Sequence, residues 1–345
     1  MRGRLAPSPT GNLHLGNAFA FLLAWLSAAV QKGALVLRLE DIDPDRSRAA
    51  FVRGILEDLA WLGLTWDEGP RPSFHPDRRG AESAFFPEEG AFGPYRQSAR
   101  LERYEAVLQD LRRRNLLYPC FCTRRELRLL ASAPHSGDEG VPYPGICRRL
   151  SGKERTARLA AKVPFSLRLD TARSMETLLR ETPGATEGSL LSWNDAVHGP
   201  QVFTPADCGG DFALRRSDGV FAYQLAVAVD DAAMDITEVV RGEDLLSSTP
   251  RQILLLRLLG APLPRYAHIP LLRDAQGQRL AKRHKGLEVR ALREAGFSPE
   301  AVIGRLAHLA GLRATPAPVP PAGLAEGFSF AFLRGCAPVA DFSRP

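Results

Sequence analysis

Four groups of residues in this chain have the types and spacing of chemical sites. The first is the loop Arg4-Leu5-Ala6-Pro7-Ser8-Pro9-Thr10-Gly11-Asn12-Leu13-His14-Leu15-Gly16-Asn17, which runs straight into an apolar helical stretch. Backbone N–H groups at the start of that helix would face the phosphates of a nucleoside triphosphate. His14 can donate to a phosphoryl oxygen, and Gly16 lets a nucleobase or ribose lie against the backbone. A Pro-rich turn capping a core helix is the plainer alternative. The second group is the basic run Gln278-Arg279-Leu280-Ala281-Lys282-Arg283-His284-Lys285-Gly286. A lysine there acts as a point charge on phosphate, and a loop can close it over a leaving pyrophosphate. A solvated basic turn is its alternative.

The third group is Cys120-Phe121-Cys122 with Tyr143 and Cys147 downstream. Three thiolates at this spacing can enter a tetrahedral zinc site, with Tyr143 or His135 as fourth ligand. Cys208 and Cys336 lie far off and are expected to be structural or free. The fourth group is scattered: Arg4, Glu40, Tyr223, Arg241 and the pair Asp230-Asp231. Two arginines could take the carboxylates of a dicarboxylic amino acid while Glu40 takes its ammonium. Spacing alone does not bring these residues together.

The elements that must position them follow from periodicity. Leu15, Phe19, Leu22, Leu23 and Leu26 predict a helix over 14–32, with Gly33 as its C-terminal cap. Residues 34–39 read as a strand that delivers Glu40-Asp41-Ile42-Asp43 to the following loop, and 45–62 as a second helix. Loop, helix, strand, loop and helix in this order imply a parallel α/β sheet with ligands at the carboxyl ends of strands. Residues 69–93 resemble an insertion loop, and 98–117 a helix. Residues 163–195 read as a small β-rich insertion, and 221–231 as a helix or buried segment. A strand is expected over 269–273, and helices over 251–259, 287–295 and 299–312. The four prolines between Thr315 and Pro321 mark a linker or a wrap over the surface.

At 345 residues the chain has room for two or three modules, and its 45% apolar and 24% charged composition excludes global disorder. The longest apolar stretch, Ala18 to Val30, is interrupted by Ser27 and is too short to span a membrane. No secretory signal is read at the N-terminus, so a cytoplasmic location and no membrane partner are expected. Five cysteines are too few for a disulfide framework. The net charge of +6 is concentrated: residues 96–158 hold 14 basic and 7 acidic residues. Such a segment can track a phosphate backbone or simply face water.

Taken together, the motifs resemble the class I aminoacyl-tRNA synthetases, and within them the glutamyl branch. Pro7 to Asn17 resembles the HIGH region, Arg38 to Asp43 the strand-end acidic motif, and Arg279 to Arg283 the KMSKS loop. Tyr95-Arg96-Gln97-Ser98, Phe221 to Val227 and Val240 to Leu245 are similar to further stretches of that branch. Asn17 stands where HIGH has its second histidine, Arg279 where KMSKS has lysine and Ala281 where it has serine. Only 59 residues follow Gly286, which is too few for the branch's helical anticodon-binding region. That brevity and the cysteine pattern resemble the paralogues that esterify glutamate onto the queuosine base of tRNA(Asp).

The resemblance implies a Rossmann-type catalytic domain with a small zinc-binding insertion and a short helical C-terminal portion. The expected limits are 1–117 and 196–255 for the two catalytic halves, 118–195 for the insertion, 256–314 for the KMSKS-like loop and helical region, and 315–345 for a Pro-rich tail. It implies L-glutamate on Arg4, Leu5, Ala6, Pro7, Ser8, Glu40, Tyr223 and Arg241. ATP, with Mg²⁺, is implied on His14, Gly16, Asn17 and Lys282, with His14 and Lys282 catalytic, and structural zinc on Cys120, Cys122, Tyr143 and Cys147. The partners are then glutamate, ATP and queuosine-bearing tRNA(Asp), and the protein a monomer. The competing readings are a minimal glutamyl-tRNA synthetase charging a tRNA 3′ end, and a zinc-bearing RNA-binding module without catalysis.

Overall fold

The computed structural model describes residues 1–72, 86–129, 143–207, 209–274, 277, 287–336, 338, 339 and 342. Lys282 and its neighbours 278–286, His135, Cys208 and most of the 69–93 loop lie outside the described residues.

The chain opens with β1 (Arg2–Leu5), α1 (Leu15–Val30), β2 (Ala34–Leu37) and α2 (Ala49–Trp61). It continues through β3 (Gly69–Pro70), β4 (Glu88–Glu89), α3 (Leu101–Arg113), β5 (Leu117–Cys120) and α4 (Arg124–Leu129). Next come α5 (Gly152–Ala160), β6 (Ser166–Leu169), α6 (Thr171–Glu181), α7 (Glu187–Leu190), β7 (Ser192–Asp195), β8 (Gly199–Val202) and β9 (Ala213–Arg215). The last elements are α8 (Tyr223–Ala233), β10 (Glu238–Gly242), α9 (Thr249–Leu258), β11 (Arg265–Ile269), α10 (Val289–Glu294) and α11 (Pro299–Leu309).

The expected parallel sheet is present. β1 pairs with β2 in parallel, β10 with β11, and β11 with β7. The two groups meet at β1 and β10, where the Thr237 N–H donates to Arg2 O at 2.9 Å. α1 packs on both strands through Leu15, Phe19, Leu22, Leu23 and Leu26, all essentially without exposure. Its termination differs from the expectation. Lys32 takes the left-handed conformation (φ 48°), whereas Gly33 does not. A Cβ on Gly33 would lie 2.6 Å from Met1 O, so that glycine is required by the close approach of the backbone just ahead of β1 rather than by a cap.

Several other boundaries moved for identifiable reasons. The helix expected over 98–117 stops at Arg113; Asn115 turns the chain at φ 56° and β5 begins at Leu117. The strand expected over 269–273 is β11, which ends at Ile269, where Pro270 can donate no hydrogen bond. Residues 163–195 are half helical rather than β-rich. Asp170 caps α6 by accepting from the Arg173 N–H at 3.0 Å, and Met175 and Leu178 bury one face of the helix, which packs against α9. Of the segment 221–231, Phe221 bridges to Arg215 and residues 223–231 form most of α8.

The Pro-rich tail does wrap the molecule, and it also enters the core. Val319 N–H donates to Glu300 O at 3.0 Å on α11, and a Cβ on Gly304 would collide with Ala317 O. Phe328, Phe330, Leu333 and Phe342 then join the cluster built around α1. Among the described residues no helix is long and apolar enough to cross a membrane.

Candidate functional site

A cavity of about 450 Å³ opens where β1, β2, β10 and β11 end, at the start of α1. Arg4, Ala6, Pro7, Ser8, Glu40, Tyr223 and Arg241 all line it, together with His14, Gly16 and Asn17. Leu5 does not; its side chain is fully buried in the core behind the loop. The fold thus brings together residues up to 237 positions apart in sequence, because the ends of parallel strands converge on one side of a sheet.

Beneath the cavity lies a cluster of buried charges. Arg38, with no exposed surface, donates to Asp231 at 2.7 Å and to Glu40 at 3.3 Å. Arg100 donates to Asp230 at 2.6 Å, and the Tyr104 hydroxyl donates to the same carboxylate at 2.8 Å. Arg4 lies 3.6 Å from Asp231 and donates to Val240 O at 3.2 Å. Burial pushes the Arg4 guanidinium and the Glu40 carboxyl toward their neutral forms, against the pull of their ionic neighbours. For Arg38, the three carboxylates outweigh burial and raise its pKa. Asp230 and Asp231 sit one after the other on α8, two turns after Tyr223, so one helix supplies both the phenol in the wall and the carboxylates beneath it.

Arg241 is held differently. Its guanidinium donates to His268 Nε2 at 3.1 Å, Gln252 Oε1 at 2.7 Å and Thr249 Oγ1 at 2.8 Å, all neutral acceptors. Among the described residues no carboxylate pairs with it. Arg4, Arg38, Arg100 and Arg241 face Glu40, Asp230, Asp231 and, behind His268, Asp195, and of these four guanidiniums Arg241 is the one with no carboxylate in contact. A ligand carboxylate placed against Arg241 would complete that pair at less desolvation cost than a neutral or cationic group.

At the other end of the cavity, His14 is the N-cap of α1. Its Nδ1 accepts the Asn17 N–H at 3.3 Å, which leaves the ring proton on Nε2. A Cβ on Gly16 would come within 3.0 Å of the His14 ring, so this glycine leaves room for the histidine as well as for a ligand. The loop is tied to the far side of the basic run. Asn12 Nδ2 donates to Glu288 Oε2 at 2.8 Å and Val289 N–H to Leu13 O at 2.8 Å.

Elsewhere in the chain, Cys120, Cys122 and Cys147 bring their sulfurs within 4.8 Å of one another. Tyr143 Oη lies 3.8 Å from Cys122 Sγ and accepts the Cys147 N–H at 2.7 Å. Burial raises the Cys122 thiol to about 12. Burial would raise Cys120 too, but hydrogen bonds with Tyr143 and the Cys122 N–H, beside Arg168, hold it below the ordinary thiol range. Cys122 and Cys147 Sγ are 3.6 Å apart, close to the ~3.8 Å between two thiolates on a tetrahedral zinc with ~2.3 Å bonds. The donor set therefore fits a zinc ion.

The sequence did not single out Arg38, His268, Asp195, Thr249 or Gln252 as site residues. Arg38 stands inside the strand-end motif, two residues before Glu40, and that adjacency was the available signal. His268 and Asp195 reach the site only through pairing of β10, β11 and β7, which no local pattern encodes.

Comparison with known proteins places these features in a family. Residues 1–315 match the model of the catalytic domain of class I tRNA synthetases (E and Q). A Glutamyl-Q tRNA(Asp) synthetase of Nitratidesulfovibrio vulgaris is 53% identical over 90% of this chain and 87% of its own length. A protein of the same name from Symbiobacterium thermophilum is 47% identical over 95% and 92%. The crystal structure of a glutamate-tRNA synthetase from Elizabethkingia anophelis superposes with a TM-score of 0.77 at 26% identity, covering 99% of this chain and 68% of that one. Parallel strands converging on a charged cavity, a HIGH-like loop on its rim and a family match over nine-tenths of the chain agree: the protein belongs to the class I tRNA synthetases of the glutamate and glutamine branch.

Proposed function

We propose that this protein activates L-glutamate with ATP and transfers it to the queuosine base of tRNA(Asp). The observation that carries the amino-acid assignment is Arg241. Among the described residues its charge is met only by neutral acceptors, which leaves it for one of glutamate's two carboxylates. Arg4 shares the carboxylates, and Glu40 faces the ammonium. The acceptor assignment rests on the two relatives that bear the Glutamyl-Q tRNA(Asp) synthetase name.

In the first step a glutamate α-carboxylate oxygen forms a bond to the α-phosphorus of ATP, and the bond to the bridging oxygen breaks, releasing pyrophosphate. The carboxylate is already ionised, so no base is needed, and positioning and charge stabilisation carry the step. His14 Nε2–H donates to a phosphoryl oxygen, while Gly16 and Asn17 receive the nucleotide. Lys282 neutralises charge on the departing pyrophosphate, and Mg²⁺ accompanies the ATP. In the second step a hydroxyl of the queuosine cyclopentene ring attacks the acyl carbon, AMP leaves with the bonding electrons, and the hydroxyl proton passes to the phosphate or to solvent. Cys120, Cys122, Tyr143 and Cys147 would hold zinc. With four protein donors the ion would have no open position and would serve the fold. The site of action is cytoplasmic.

The test is transfer of labelled glutamate to tRNA(Asp) with and without queuosine, each also stripped of its 3′-terminal adenosine. Label on the stripped, queuosine-bearing RNA and none on the queuosine-free RNA is the expected result. Label that requires an intact 3′ end, or appears on tRNA(Glu) alone, overturns the acceptor assignment. No glutamate-dependent ATP–pyrophosphate exchange overturns the activation step.

A further inference from the structure

We infer that His268 and Asp195 are positioning residues for amino-acid selection: they fix the Arg241 guanidinium so that two of its N–H groups are held out for a substrate carboxylate. This rests on the reading of Arg241 as a glutamate-binding residue.

Arg241 on β10 lies directly opposite His268 on the parallel neighbour β11, and Tyr266 of β11 lies opposite Asp195 on β7. Three adjacent strands therefore each contribute one member of a chain of contacts. Asp195, 1% exposed, accepts the Val197 and His198 N–H groups at 3.0 and 3.1 Å and the His268 backbone N–H at 3.2 Å. Its other oxygen is 2.6 Å from His268 Nδ1. A carboxylate held by so many donors stays ionised, so Nδ1 carries the ring proton and Nε2 presents a lone pair. That lone pair accepts Arg241 Nε–H at 3.1 Å. Complete burial and the neighbouring Arg241 hold the His268 pKa down at about 4, so at neutral pH the ring does not turn a second N–H toward the guanidinium.

Thr249 completes the arrangement. Its hydroxyl lies 3.1 Å from Leu245 O and 2.9 Å from His268 Nε2, both acceptors once Nδ1 holds the ring proton, so whichever takes the hydroxyl proton, Oγ1 meets Arg241 Nη2 as an acceptor. Gln252 Oε1 accepts from Nη1 while its amide donates to Gln224 Oε1 at 3.0 Å. Three of the five guanidinium N–H groups are thus taken by neutral partners of fixed polarity, and one remains on each terminal nitrogen. A carboxylate can accept both. An amide cannot, because its NH₂ would face a donor. Were the acceptor on Nε–H lost or its tautomer reversed, the guanidinium could rotate and that exclusion would weaken.

The test compares His268→Leu, His268→Gln, Asp195→Asn and Arg241→Ala in glutamate-dependent ATP–pyrophosphate exchange, with glutamine as competing substrate. His268→Leu removes the acceptor. Asp195→Asn can donate to Nδ1 and so drives the proton to Nε2. Each is expected to raise the glutamate KM about tenfold and to erode the glutamate-over-glutamine preference by a similar factor, with the ATP KM within about twofold of the parent. His268→Gln keeps an acceptor near Nε2 and is expected to recover most of the preference, a rescue that a purely structural role would not produce. If Arg241→Ala raises the glutamate KM while the His268 and Asp195 variants keep the parent KM and preference, the inference is overturned and the site reading stands. If Arg241→Ala itself leaves the glutamate KM unchanged, the site reading falls. Should His268→Leu fail to fold, the isosteric Asp195→Asn decides.

Discussion

Replacing Asp58 by asparagine is expected to stabilise this protein at neutral pH and to do much less in acid. Asp58 sits on the inner face of α2 with 1% of its surface exposed, and among the described residues neither carboxyl oxygen has a hydrogen-bond partner. Burial raises its pKa from 3.8 to about 6; Arg290 and Arg293 of α10 pull it down, while Glu57 and Glu288 push it up. A carboxyl whose folded value exceeds its unfolded one binds its proton more tightly in the native state. Stability therefore falls as pH rises from about 4 to about 6, and stays at the lower level above that. The displacement corresponds to about 3 kcal/mol at pH 7.5, about 1.5 kcal/mol at pH 5 and under about 1 kcal/mol at pH 4. Asparagine keeps the shape without the charge, so the gain should shrink by about 1.5 kcal/mol between pH 7.5 and pH 5. Urea unfolding of both proteins at the two pH values measures this difference. Parallel stability curves, or a gain larger at pH 5, would refute the claim that an orphaned charge is buried there.

Other perturbations separate the parts of the molecule. Gly16→Ala places a methyl within 3.0 Å of the His14 ring; displacing that ring should lower the exchange kcat about 10- to 100-fold and leave the glutamate KM within threefold, as read by steady-state exchange. Cys122→Ser removes one sulfur from the cluster. Zinc content by atomic spectroscopy should fall from one per chain toward zero and Tm by about 5–10 °C, while glutamyl-adenylate formation persists in the folded fraction. Glu68 accepts from Arg2 at 2.7 Å and from Tyr95 at 2.6 Å, and the Arg2 contact leads in holding its pKa at about 2. Glu68→Gln should cost about 1–2 kcal/mol. Because that pKa is depressed, the cost should be constant above about pH 4.5 and fade as pH falls toward 2, as followed by thermal unfolding.

Much of this architecture was legible in local pattern. The α1 stripe is periodic over sixteen residues, and β2 is a short apolar run ending in carboxylates, so both elements and their function as a ligand-bearing strand end could be read directly. The 163–195 region misled because one short alternating stretch, β6, was extended across Asp170, whose side chain in fact starts a helix. Gly33 has the residue type of a cap, but the reason for a glycine there is Met1 O, just ahead of β1. The same limit governs the site. Arg4, Glu40, Tyr223 and Arg241 could be named from motifs, yet the partners that orient them, Arg38 with Asp231 and Arg241 with His268, are set by strand order and register. Side-chain polarity alone does not reveal which arginine is neutralised within the protein and which is not.

That distinction explains how the proposed pocket separates glutamate from glutamine. The two substrates differ by one charge and a few atoms, too little for shape to discriminate. Arg4 has Asp231 at 3.6 Å and a backbone carbonyl at 3.2 Å, so part of its demand is met before any ligand arrives. Among the described residues Arg241 has no such carboxylate, only acceptors whose polarity is fixed from behind: His268 by Asp195, Gln252 by Gln224 and Thr249 by Leu245 and His268. A glutamine amide would give it one oxygen and oppose it with an NH₂, forfeiting a charge-assisted pair worth about 1.5–3 kcal/mol, or roughly 10- to 150-fold. The selectivity would then lie less in Arg241 itself than in the neutral, immobile groups that leave its charge uncancelled.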